Sequence, residues 1–150
     1  MSASQETWNQ YWSWLIPGML EVTNLNKQFW DGTKRHELVI QKCKKCGEYQ
    51  WYARANCIHC GTREPEWAKV SGKGTIYSYT IISLVVGNSP LYNLEIPFAI
   101  GLVELDEGPR IYARLVDCGP TEVKIDMRVE VDFKDLTSEI TIPVFKPAKA

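Results

Sequence analysis

No apolar run in this 150-residue chain reaches the roughly 20 residues that a membrane-spanning helix needs, and the aromatic stretch Trp8–Leu20 is interrupted by Pro17 and Gly18. A membrane helix is therefore not expected. Positive charge is missing from the start: no Lys or Arg precedes Lys27, and Glu6 comes ahead of the apolar stretch, so the layout of a secretory signal is absent. A cytoplasmic protein is expected. Histidine is scarce, with only His36 and His59, and there is no Gly-x-Ser-x-Gly elbow, phosphate loop or His-Glu-x-x-His helix. No nucleophile and base can be paired from such a set, so the chain is not expected to be an enzyme on its own. Internal repeats and low-complexity segments are absent too.

What the chain does have is an ordinary globular composition, 45% apolar with a net charge of −1, enough for one core and a small metal-stapled module. Four of its five cysteines fall in two tight pairs, a pattern that in a reducing compartment favours metal over disulfides. Cys118 is left over. It is expected to be a small buried hydrophobe within a strand Arg110–Cys118.

Residues from Ser4 to about Gly32 are expected to be helical in two pieces. The first carries Trp8, Tyr11, Trp12 and Leu15 at helical spacing, and the second runs Asn24–Trp30 behind cap signals at Thr23 and Asn24. From Glu37 to about Trp67 the order is strand, knuckle, strand, knuckle, with Leu38–Ile40 leading into Cys43 and Tyr49–Tyr52 between the pairs. After the Ser71–Gly74 turn come five β segments: Thr75–Val86, Pro97–Leu105, Arg110–Cys118, Arg128–Asp135 and Ile140–Phe145. A tight hairpin is expected at Asp106–Pro109 and a longer loop at Gly87–Ile96. The fold class is thus mainly β. N-terminal helices (1–36) are followed by a rubredoxin-like zinc ribbon (37–70) and a five-stranded OB-fold barrel (71–150).

The strongest chemical signal is Cys43-Lys44-Lys45-Cys46-Gly47 followed by Cys57-Ile58-His59-Cys60-Gly61. Each Cys-x-x-Cys turn lets two sulfurs reach one ion, and the glycine after it permits the backbone that aims amides at sulfur. Cys43, Cys46, Cys57 and Cys60 are expected to hold one structural Zn(2+), closed to substrate; iron in rubredoxin style is the rival ion. His59 is expected to be an exposed knuckle residue and His36 a solvated surface residue.

Charge divides the chain. Lys27–Arg63 holds eight basic and three acidic residues, whereas Glu95–Glu139 holds eleven acidic and five basic. A ribbon joined to an OB-fold raises single-stranded nucleic-acid binding, with Trp51, Tyr52, Tyr77 and Tyr79 as stacking platforms. The acidic barrel opposes it, because a phosphate backbone wants a basic groove.

Taken together, Phe29-Trp30-Asp31-Gly32, the approach from Leu38 to Cys43, both knuckles, Val70–Thr80, Pro97–Leu105, Arg128–Val131 and Pro143–Pro147 resemble the acyl-CoA-associated zinc-ribbon/OB-fold family, domain of unknown function thirty-five. The chain departs from the usual pattern in its aromatic front end (Trp8, Tyr11, Trp12, Trp14) and its long Gly87–Ile96 loop. The resemblance implies a non-catalytic accessory subunit in a hetero-oligomer with a thiolase-like acyltransferase, of which the benzoylsuccinyl-CoA thiolase is one setting. It also admits a MaoC-like hydratase or an aldolase as partner. In that setting the subunit would stabilise its partner and help position a CoA thioester shared between them. Lys44, Lys45, Arg54 and Arg63 are then the candidates to face CoA phosphates or an acidic partner.

Overall fold

The computed structural model describes residues 20–84 and 96–149, so the expected helix around Trp8–Leu15 and most of the Gly87–Ile96 loop lie outside it. The second helix, α1, spans Lys27–Lys34 rather than Asn24–Trp30. Thr23 to Asn26 form a turn instead: the Lys27 N–H donates to Thr23 O (2.9 Å), while Asn26 Oδ1 accepts the Thr23 N–H (2.7 Å). That fixes the helix start three residues later. The helix runs on through Gly32, where a side chain would collide with Val39, so the glycine serves close packing rather than termination. Phe29, Gly32 and Thr33 form its buried face.

Three antiparallel strands make the ribbon sheet in the order β2-β1-β3: β1 Val39–Cys43, β2 Tyr49–Gln50 and β3 Pro65–Lys69. β3 was not expected from sequence. Its Pro65, Glu66 and Lys69 look unlike a strand, and only pairing along the whole of β1, from Val39↔Lys69 to Cys43↔Pro65, makes it one. β2 is shorter than the expected Tyr49–Tyr52.

The five expected barrel strands are present as β4 Lys73–Ile82, β5 Phe98–Leu105, β6 Arg110–Leu115, β7 Arg128–Asp135 and β8 Thr141–Pro147, closed in the order β4-β5-β6-β8-β7. β5 alternates strictly, pointing Ala99, Gly101, Val103 and Leu105 inward. Ile76, Val103, Val129 and Phe145 are wholly enclosed. The expected hairpin after β5 forms, with Gly108 at φ 114° and its N–H on Leu105 O (2.8 Å). Closure between β6 and β8 is slight, resting on the Leu115↔Phe145 pair and the Val116 N–H on Phe145 O (2.8 Å).

Cys118 corrects its expectation. β6 ends at Leu115 because Asp117 turns the chain at φ 57°, so Cys118 lies beyond the strand and only partly buried against the core. A 3-10 turn at Pro120–Glu122 follows, and Val123 after it is buried. Ribbon and barrel share one apolar cluster, since Phe29, Leu38, Ile40 and Val70 pack into the same core as the barrel residues. Among the described residues no helix is long and apolar enough to cross a membrane.

Candidate metal centre

The two knuckles fold alike. The Gly47 N–H donates to Cys43 O (2.9 Å) and the Gly61 N–H to Cys57 O (3.0 Å), with the glycines at φ 76° and 78°, a backbone that L side chains rarely adopt. This brings Cys43, Cys46, Cys57 and Cys60 together with all four sulfurs within 4.8 Å of one another. Cys43 Sγ lies 3.7 Å from Cys60 Sγ and Cys46 Sγ 3.6 Å from Cys57 Sγ. A tetrahedral ion with ~2.3 Å bonds to sulfur separates its ligands by about 3.8 Å. The arrangement therefore fits such an ion, with one cysteine of each pair buried (Cys43, Cys57) and one exposed (Cys46, Cys60).

Electrostatics agree with that fit. The Thr62 hydroxyl, with the Cys46 and Lys45 N–H groups, pulls the Cys43 thiol down to about 6. Thr62 also lowers Cys60, through its hydroxyl and then its N–H. At Cys46 the Glu48 N–H would act the same way. Burial and the sulfurs of Cys57, Cys43 and Cys60 outweigh it, pushing this thiol up to about 12. Four thiolates this close repel one another, and a divalent cation between them removes the conflict.

The support around the sulfurs comes from residues the sequence reading did not single out. Gln41 and Gln50 are buried at 3% and 2% exposure. Gln41 Oε1 accepts from Gln50 Nε2 (2.6 Å) and the Arg54 N–H (2.9 Å), and Gln41 Nε2 donates to Arg54 O (3.1 Å). Gln50 Oε1 accepts the Ile58 N–H of the second knuckle (2.9 Å). Two amide side chains thus satisfy the irregular backbone between the knuckles. Strands this short, Val39–Cys43 and Tyr49–Gln50, carry no periodicity that would have marked the two glutamines as inward. Thr62, whose hydroxyl lies 3.2 Å from Cys60 Sγ and 3.5 Å from Cys43 Sγ, was also missed.

Lys44, Lys45, Arg54 and Arg63 are all exposed. They sit on the first knuckle, on the segment between the knuckles and just after the second one, and no hydrogen bond or ion pair engages their side chains among the described residues. His59 is exposed with Nε2 3.2 Å from Tyr49 O, as a knuckle residue outside the sulfur set. His36 is also exposed, yet not merely solvated: its ring stacks on Phe133 (5.3 Å) and Nε2 lies 3.1 Å from Asp135 Oδ1. Thr141 Oγ1 donates to that same carboxylate oxygen (2.6 Å). The hydroxyl is therefore spent on the carboxylate, not lined up behind the imidazole, and no nucleophile and base pair results.

Three of the four expected stacking platforms have neighbours of their own. Trp51 packs on Phe29 (4.5 Å between centroids), and the Tyr77 ring is covered by the Arg110 guanidinium at 3.5 Å, itself held by Glu104 (2.8 Å). Tyr52, Tyr77 and Tyr79 are nonetheless all exposed, Tyr52 with its ring 4.9 Å from that of Trp51.

Comparison with known proteins places these features together. Residues 30–66 match the ChsH2 rubredoxin-like zinc ribbon domain and residues 67–134 the ChsH2 C-terminal OB-fold domain. Over 107 residues the chain is 34% identical to a DUF35 domain-containing scaffold protein of Methanocaldococcus jannaschii, covering 71% of this chain and 74% of that one. It is 35% identical over 126 residues, 83% of its length, to a probable enoyl-CoA hydratase alpha subunit of Thermomonospora curvata, of which it spans only 38%. A benzoylsuccinyl-CoA thiolase subunit, BbsA, of Thauera aromatica is 29% identical over 90 residues, 60% of this chain and 58% of that one. Among solved structures, a chain of the Ltp2-ChsH2(DUF35) aldolase superimposes with a TM-score of 0.76 at 31% identity, covering 85% of this chain and 98% of that one. On both domain matches and the likeness to the DUF35 scaffold protein, the chain belongs to the DUF35 family.

Proposed function

We propose that this protein is a scaffold subunit of an enzyme that acts on CoA thioesters, and that Cys43, Cys46, Cys57 and Cys60 hold one structural zinc ion in it. The observation that carries the reading is the likeness along most of the chain to the DUF35 chain of an aldolase complex. Such a subunit makes no bonds itself. It stabilises the catalytic partner, and the partner supplies the reactive groups.

A thiolase-type acyltransferase is the partner we favour, with aromatic acyl-CoA breakdown as one setting, supported by the likeness to BbsA. The second reading, a hydratase partner, is supported by the higher identity to the Thermomonospora subunit. Lys44 and Lys45 on the first knuckle, with Arg54 and Arg63, offer positive potential to CoA phosphates. A cytoplasmic location belongs to the same proposal, because reduced thiols are what the metal needs. Single-strand binding is disfavoured by the acidic barrel and by the packing of Trp51 on Phe29.

The test is to purify the chain from its native extract and identify by mass spectrometry what co-elutes with it. A thiolase-like subunit supports the favoured reading and a hydratase moves it to the second. A lone chain, or one carrying nucleic acid, overturns both. In the isolated complex, K44E with K45E should weaken CoA-thioester use without loss of assembly, and unchanged kinetics would remove the CoA role of these lysines.

A further inference from the structure

A cleft of about 440 Å³ lies between the second knuckle and the β5-β6 hairpin, within the range of roughly 300–1,000 Å³ that ligand pockets occupy. Three carboxylates, Glu48, Glu104 and Glu107, and one guanidinium, Arg110, line it together with Trp51 and Ile58. Arg110 is held by Glu104 (2.8 Å), and no cation reaches Glu48 or Glu107 among the described residues. Two of these lining residues also carry an atom without the partner that burial demands. The Trp51 Nε1 donor and the Glu107 Oε2 acceptor are shut away from water, and neither has a hydrogen-bond partner among the described residues. The other oxygen of Glu107 accepts the Ser71 N–H (2.7 Å), which fixes the carboxylate in place. An enclosed donor and an enclosed acceptor left open are costly, and native structures keep few of them.

We propose that this cleft takes an extended, basic segment of the catalytic partner, an inference that rests on the scaffold reading above. A peptide group carries what the two orphaned atoms need, since its carbonyl accepts from an indole N–H and its own N–H donates to a carboxylate. A lysine or arginine beside that peptide group meets the charge left on Glu48 and Glu107. A CoA thioester also bears amides, but the same carboxylates repel its phosphates. Both orphaned atoms are enclosed, so the segment has to part the knuckle from the hairpin slightly as it enters, and pairing them offsets that cost. Indole and guanidinium groups are frequent anchors of protein interfaces, and the apolar side chain of Ile58 beside them is 56% exposed. The Ile58 N–H is tied to Gln50 Oε1 (2.9 Å), so this wall is set by one of the glutamines that order the knuckles. The acidic cleft is thereby distinct from the basic first knuckle, where Lys44 and Lys45 lie.

The subunit that co-purifies with the chain is recombined with full-length, zinc-loaded protein carrying Ile58→p-benzoylphenylalanine, the complex is irradiated, and the cross-linked peptides are mapped. A single peptide of the partner is expected, with Lys or Arg beside the cross-linked residue. An assembled complex that gives no cross-link, or one to a segment without Lys or Arg, overturns the proposal and leaves the scaffold reading standing. A chain that has no partner at all overturns both. A second measurement is independent of the probe. Glu107→Gln keeps an acceptor for the Ser71 N–H but turns the orphaned acceptor into a donor, and should weaken the partner's affinity about tenfold. Glu48→Lys should weaken it too, whereas Glu139→Gln, which removes a charge from the β7-β8 turn, should leave it unchanged. Affinities equal to the parent chain's in both cleft variants would mean that the cleft holds water alone. Weaker CoA binding with assembly intact would assign the cleft to CoA instead, and either result overturns the proposal.

Discussion

In the barrel, Ile76, Val103, Val129 and Phe145 are wholly enclosed and five strands of six to ten residues close around them. In the ribbon, strands of five, two and five residues enclose Leu38, Val39 and Ile40 near the barrel. Farther out, the buried residues are two cysteines and two glutamines. The outer ribbon therefore has almost no apolar area to bury, and its order depends on directional bonds: sulfur to metal and amide to backbone. The barrel rests on burial, which is non-directional and tolerant. The two halves of one chain should consequently fail under different insults.

Metal removal should separate them most sharply. A structural zinc supplies on the order of 10 kcal/mol of apparent folding free energy. Chelation, or Cys57→Ser, should abolish amide protection through residues 39–69 while Val103 and Val129 remain protected, as read by hydrogen exchange. Loss of protection in both halves together would break the comparison. Phe145→Ala should do the reverse, costing about 3–5 kcal/mol of barrel stability in urea with metal content unchanged at one ion per chain. Gln41→Ala comes next. It strips the acceptor from the Arg54 N–H and Gln50 Nε2, costs the ribbon about 1–3 kcal/mol, and should show as easier metal loss to a chelator.

The smallest effect concerns acid. Asp135 is held below the usual carboxylate range by the Thr141 hydroxyl and by His36, and Asp106 by Arg128. Groups lowered in the folded state contribute stability above their unfolded value, about 3.9, and lose it as pH falls through the folded value. These carboxylates are exposed, so the barrel should lose little, and only below about pH 4. The ribbon should give way at higher pH, because protons compete with the metal for thiolate. A pH titration following both metal release and the near-ultraviolet signal checks the order of the two events.

Much of this was legible in the residues. The two Cys-x-x-Cys-Gly runs announce the sulfur cluster by spacing alone, and the alternation of β5 and β7 announces the barrel, because both patterns are local. What was hidden depends on contacts made across the fold. β3 exists only by pairing with β1, and Pro65 and Glu66 argue against a strand by themselves. α1 starts at Lys27 because Asn26 turns its side chain back to Thr23, which composition does not encode. Cys118 left its strand because Asp117 adopts a left-handed turn, a choice that no periodicity records. Gln41 and Gln50 look like ordinary strand residues until the irregular backbone beside them needs partners.

The most direct test of the scaffold account is to measure CoA-thioester turnover by the isolated zinc-loaded chain, by its co-purified partner alone and by the two recombined. The account predicts no turnover by the chain alone and full turnover only on recombination. Turnover by the isolated chain, or a partner equally active and stable without it, would contradict it.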